Sequence, residues 1–89
     1  MSEEARNEFS VAQFFRDGTC DYEVRFVGAE LAKQTFLRLT TNVAAMVGIT
    51  RRVIIVDGGD FTCMEWIAGQ GITFPPELKG KILERKKDG

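Results

Sequence analysis

Arg51-Arg52-Val53-Ile54-Ile55-Val56-Asp57-Gly58-Gly59-Asp60-Phe61-Thr62-Cys63-Met64-Glu65-Trp66-Ile67 reads as a strand, a glycine turn and a returning strand. Gly-Gly between β-branched and aromatic runs is a strong hairpin signal, because a two-residue loop needs positive φ and glycine adopts it without a Cβ clash. With Gly58 and Gly59 as that loop, Val56 pairs with Phe61, Ile54 with Cys63 and Arg52 with Glu65 on one face. The other face receives Asp57 with Asp60, Ile55 with Thr62, Val53 with Met64 and Arg51 with Trp66. Both faces are largely apolar, so both need a cover.

Upstream, Phe9–Phe15 and Cys20–Val27 read as two further strands joined through Asp17-Gly18. That turn sets Phe15 opposite Cys20, Gln13 opposite Tyr22, Val11 opposite Val24 and Phe9 opposite Phe26 on an apolar face. Ser10 with Arg25, Ala12 with Glu23 and Phe14 with Asp21 form the wet face, and a one-residue slip would exchange the two. Between the hairpins the period becomes helical. Ala29, Ala32, Phe36, Leu39, Val43, Met46 and Val47 make one stripe, predicting a single long helix from Ala29 to about Val47 with Gly48 ending it.

Downstream, Gly69–Pro76 carries glycine and proline and reads as an extended arm running over the sheet, anchored by Ile72 and Phe74. Glu77–Lys87 has the pattern of a short helix, with Leu78, Ile82 and Leu83 as its apolar side, leading into a basic tail. The resulting expectation is an α+β domain over residues 8–78, with an antiparallel sheet of about four strands in β-β-α-β-β order, one long helix on one face and a C-terminal arm. Residues 1–7 are polar and expected to be disordered, and 79–89 form a basic tail.

At 89 residues the chain has room for one core, and 44% hydrophobic with 28% charged residues is a globular composition rather than a disordered one. A net charge of -1 gives no overall field for a nucleic-acid backbone. There is no histidine, which removes the commonest general base and metal ligand. No apolar run has membrane-spanning length, and the acidic start Met1–Glu8 has no signal-peptide h-region. Cys20 and Cys63, without a CxxC pair, suit a reducing cytoplasm and read as buried free thiols.

No catalytic, cofactor or metal motif stands out. Asp57 and Asp60 would face each other across the turn and could hold a hard cation, but Asp beside Gly is first of all turn chemistry, and a calcium site needs six or more oxygen ligands. For nucleic acid the material is Arg51, Arg52, Lys79, Lys81, Arg85, Lys86 and Lys87. The last thirteen residues hold five basic and three acidic side chains, a weak excess, while Arg52 has Glu65 as partner and Arg51 can lie on Trp66.

The candidate interface is the uncovered stripe Val53, Ile55, Met64 and Trp66, with Phe74. Either residues 70–83 or a second copy of the chain must cover it. The leading functional expectation is therefore a small cytoplasmic interaction module that acts by protein–protein contact as a homodimer. Weak nucleic-acid binding is the alternative. A third reading is a ligand or enzymatic pocket between arm and sheet, using Asp57, Asp60, Glu65, Tyr22 or Cys63.

Overall fold

The period-2 segments do become strands. The computed structural model describes residues 7–78. In it, β1 (Phe9–Phe15), β2 (Cys20–Val27), β3 (Thr50–Val56), β4 (Thr62–Ile67) and β5 (Gly71–Phe74) form one antiparallel sheet in the order β2-β1-β3-β4-β5. Two helices, α1 (Ala29–Thr41) and α2 (Val43–Met46), connect β2 to β3, and a 3₁₀ turn at Pro76–Leu78 follows β5. The fold is α+β with five strands rather than four. The segment expected to be an arm over the sheet is instead its edge, with Ile72 buried in the core and Phe74 half-exposed. Gly69 and Gly71, both at positive φ, turn the chain back so that Trp66 pairs with Ile72.

Both hairpins turn through three residues, not two. In the second, Asp57 N–H donates to Phe61 O and Asp60 N–H to Asp57 O, and the positive φ falls on Asp60 at 65° rather than on either glycine. The Asp57 carboxylate decides this loop: its Oδ1 accepts from the N–H groups of Gly59 at 2.8 Å and Phe61 at 3.1 Å. Asp tolerates the left-handed region better than most residues. The three-residue loop moves the pairing by one residue and a bulge between Ile55 and Val56 by one more, so the register is Arg52 with Ile67, Val53 with Trp66, Ile54 with Glu65 and Ile55 with Met64, two residues from the two-residue-loop expectation. From Met64 on, a shift of two leaves each side chain on its predicted face, because the side-chain period is two. Beside the turn the shift is one, so Thr62 lies opposite Val56 instead of Ile55 and Cys63 packs against the Val53 and Ile55 core.

The first hairpin has the same loop geometry, with Phe15 N–H donating to Thr19 O, Gly18 N–H to Phe15 O, and Gly18 at φ 92°. Near this turn the pairing is one residue off the expected one, with Phe14 opposite Cys20 and Ala12 opposite Tyr22. Two bulges in β2 then correct it, so that Val11 meets Val24 as expected and Phe9 meets Val27. Bulges bend an edge strand away from regular pairing, and β5 is short, so neither edge invites a further strand.

The predicted helix is in fact two. Asn42, at φ -81° and ψ 179°, ends α1 and starts α2, its Oδ1 accepting from Ala45 N–H at 2.9 Å. Thr40 and Thr41 turn their hydroxyls back onto Leu37 O at 3.0 and 2.8 Å in the last turn of α1. α1 buries Ala32, Thr35, Phe36 and Leu39, the i, i+3, i+4, i+7 face, against one side of the sheet.

That packing answers which element covers the stripe. Val53 and Ile55 lie in one core with Val11, Ala32, Phe36 and Leu39, and Trp66, Ile72 and Ala45 continue it. The helix covers the face that seemed to need an arm or a second copy. A buried polar line, Thr50 Oγ1 to Gln13 Oε1 at 3.2 Å and Gln13 Nε2 to Glu23 at 3.4 Å, runs out to Arg38 of α1. The opposite face holds Ala12, Ile54 and Val56, with Phe14 against them. The expectations for residues 1–6 and for the tail beyond 78, including most of the helix expected over Glu77–Lys87, lie outside the described residues.

Candidate interaction surfaces

Of the residues singled out as an interface, Val53, Ile55 and Trp66 are buried and Met64 is half-buried against the same core. They line the interior, so a contact surface has to be sought elsewhere; Phe74, at the β5 edge, is the one of the five that is exposed. Arg52 is committed, with its Nε 2.6 Å from Glu65 and its guanidinium 4.9 Å from the Phe14 ring centroid. Arg51 is exposed, and Trp66 is paired with Val53 instead of receiving its cation. The other basic candidates, Lys79, Lys81, Arg85, Lys86 and Lys87, lie outside the described residues.

Glu65 also accepts from Thr73 Oγ1 at 2.6 Å, and that hydrogen bond, followed by Arg52, holds its carboxyl below the usual glutamate range against the opposing effect of burial. Cys20 is exposed rather than buried. The one-residue offset beside the first turn places it opposite Phe14 instead of Phe15. Cys63 is half-buried; burial first, then the Asp57 and Glu8 carboxylates, push its thiol up, which keeps it a poor nucleophile. Among the described residues no three of His, Cys, Asp or Glu converge as a metal cage. No described helix is long and apolar enough to cross a membrane.

Two surface features emerge that sequence periodicity missed. The first follows from the break at Asn42. Because α2 starts afresh, only Ala45 of that helix is buried, while Val43 is 73% and Met46 77% exposed, with Val47 and Ile49 also open. The helical stripe had assigned Val43, Met46 and Val47 to the core. The signal that could have corrected it is Thr40-Thr41-Asn42, two β-branched residues followed by a strong N-cap former. The nine residues from Asn42 to Thr50 carry no charge in a chain that is 28% charged.

The second lies at the other end of β3. A cleft of about 300 Å³ is lined by Ser10, Tyr22, Arg25, Phe26, Val56, Asp57, Gly58 and Asp60. Ser10 and Val56, paired across β1 and β3, are buried and make its floor. β2 supplies one wall, where the Arg25 guanidinium lies 4.3 Å from the Tyr22 ring centroid. The β3–β4 turn supplies the other.

Phe26 stands at φ 53°, an unusual conformation for a bulky side chain that costs about 1–2 kcal/mol. Its N–H donates to Ser10 Oγ at 3.1 Å, which holds the bulge in place, and its ring is 64% exposed. Of the groups considered for a ligand pocket, Tyr22, Asp57 and Asp60 meet here, while Glu65 and Cys63 do not line it. The cleft is not between arm and sheet, since the arm is a strand. Its geometry depends on β1 lying beside β3 and on two bulges, neither of which a single sequence announces.

No protein-family model matches the chain, and no curated protein or solved structure matches it.

Proposed function

We propose that this chain is a small cytoplasmic interaction module that works by protein–protein contact, and that its first partner is a second copy of itself. The carrying observation is the open apolar surface of Val43, Met46, Val47 and Ile49 around α2. Large apolar side chains grouped on one surface favour association, because joining two such surfaces removes both from water. The absence of charge from Asn42 to Thr50 favours a copy of the same surface as the occupant. In a two-fold contact each patch meets itself, and a charged patch would then face its own sign. The two edge strands, one bulged and one short, support a contact through α2 over one through strand pairing. A cytoplasmic setting accords with the free thiols of Cys20 and Cys63.

Size-exclusion chromatography with light scattering tests the reading. The expected result is a mass of about twice the 10.0 kDa of one chain, falling to a single chain in Met46→Lys with an unchanged circular dichroism spectrum. A strict monomer for the unaltered chain at high micromolar concentration, or a dimer indifferent to Met46→Lys and Val43→Asp alike, overturns it.

A further inference from the structure

The cleft at the far end of β3 carries opposite charges that do not neutralise one another. Among the described residues no carboxylate lies within ion-pair distance of Arg25, whose guanidinium is engaged only with its own Tyr22 ring. No described cation pairs with Asp57 or Asp60, and Asp57 Oδ1 is taken up by backbone N–H groups of its own turn. β1 separates β2 from β3, so the wall bearing Arg25 and the wall bearing the carboxylates stand two strand spacings apart, about 10 Å between backbones. Side chains reaching in from both walls leave a shorter gap between opposite charges.

From this geometry we infer a binding site for a short zwitterion, an ammonium and a carboxylate joined by a chain of dipeptide length. A dipeptide at full extension spans roughly 7 Å, less than the about 10 Å between the backbones of the two walls, which leaves room for a side chain at each end. Its carboxylate meets the Arg25 fork, the side chain best shaped for that group. Its ammonium meets Asp60 and the remaining oxygen of Asp57.

The Ser10 hydroxyl accepts from Phe26 N–H and so keeps its own proton to donate to the central carbonyl. Phe26 and Tyr22 offer aromatic surface to an apolar side chain, and the volume is at the lower end of that of small-molecule sites. A simple anion would face two carboxylates, and a simple cation would face Arg25. Only a ligand with both charges in this order finds a partner at each end.

The inference is independent of self-association through α2, which lies at the opposite end of β3 and is read by mass rather than by ligand. The test is an NMR titration of the full chain with the dipeptide alanyl-phenylalanine, with its N-acetylated and C-amidated forms, and with phenylalanine alone. Saturable shifts centred on the amides of Ser10, Phe26, Gly58 and Asp60 are expected for the free dipeptide, with affinity at least about tenfold weaker when either terminus is blocked, the loss that goes with one charge-assisted hydrogen bond. Phenylalanine, whose two charges are too close to reach both walls, should bind less tightly than the dipeptide.

Arg25→Gln should remove sensitivity to amidation, Arg25→Lys should restore part of it, and Asp60→Asn, tolerated in the left-handed region, should reduce sensitivity to acetylation to the share carried by Asp57. Melting temperatures of the three variants show whether the fold persists. No saturable shift with the free dipeptide, or an affinity indifferent to blocking one terminus, overturns the inference.

Discussion

Val53 and Ile54 are neighbours on β3 and face opposite ways. Val53 enters the core beneath α1 with Val11, Phe36 and Ile55. Ile54 lies with Ala12, Val56 and Phe14 on the other side, where among the described residues no helix packs. Both are buried, for different reasons. One face is closed by a separate element whose apolar stripe matches it. The other is closed by its own long side chains, Arg52 over Phe14 and Glu65 bridging Arg52 and Thr73. A sheet of this size can therefore carry two apolar faces with one helix, because the stems of charged and aromatic residues shield what lies between them.

The difference can be broken most forcefully from the helix side. Phe36→Ala removes the largest fully buried side chain and should cost about 3–5 kcal/mol in a denaturant titration. Ile54→Ala, on the self-covered face, should cost about 2 kcal/mol, the low end for such a truncation, since flexible neighbours can collapse onto the gap. Equal losses would mean that the second face is as tightly packed as the first.

Glu65→Gln should cost about 1 kcal/mol at neutral pH, and no more, because the Arg52 side chain is 39% exposed and its ion pair is screened. The sign with pH follows from the lowered carboxyl. Its stabilisation is complete above the ordinary glutamate value, about 4.3, and is lost as pH falls through the lower folded value. The stability gap between the unaltered chain and Glu65→Gln should thus be constant from pH 6 to 8 and shrink below about pH 4. A gap that widens in acid would contradict the assignment.

The smallest effect belongs to the turn that closes the same face. Asp60→Gly relieves a left-handed non-glycine residue and should stabilise the chain by about 0.5 kcal/mol, measurable as a raised Tm, after the extra unfolded-state freedom of glycine is subtracted. Gly18, at the equivalent position of the first turn, has no such gain to make.

These two turns show how far the sequence was legible. Asp17-Gly18 and Asp57-Gly58-Gly59-Asp60 announced both reversals, but pair preferences alone favoured two-residue loops. The longer loops arise because Asp17 and Asp57 accept backbone N–H groups two residues on, and Asp57 also one four residues on. In the second hairpin the error was two residues from Met64 on, harmless to the faces there, and one residue beside the turn, where Thr62 and Cys63 changed sides. In the first it was one residue beside the turn, which put Cys20 and Tyr22 on the wrong sides until the β2 bulges restored the pattern. The helix was right from Ala29 to Thr41 and wrong beyond, since an apolar stripe continues by coincidence across a residue that caps better than it propagates. The candidate surfaces suffered most: the Val43, Met46 and Val47 patch was read as core, and Val53, Ile55 and Trp66, which α1 covers, as a face left for residues 70–83 or a second copy.

What the sequence determined by itself is local: which residues alternate, which recur at helical spacing, where the chain reverses, and hence an α+β domain with two hairpins flanking a helix. Those features depend on side-chain period and on bonds between residues a few positions apart. The order β2-β1-β3-β4-β5, the face on which α1 settles and the cleft where Ser10, Arg25 and Asp60 meet were decided only in the folded chain. Pairing β1 with β3 joins residues some forty positions apart, and which partners win is settled by the burial of the whole core at once.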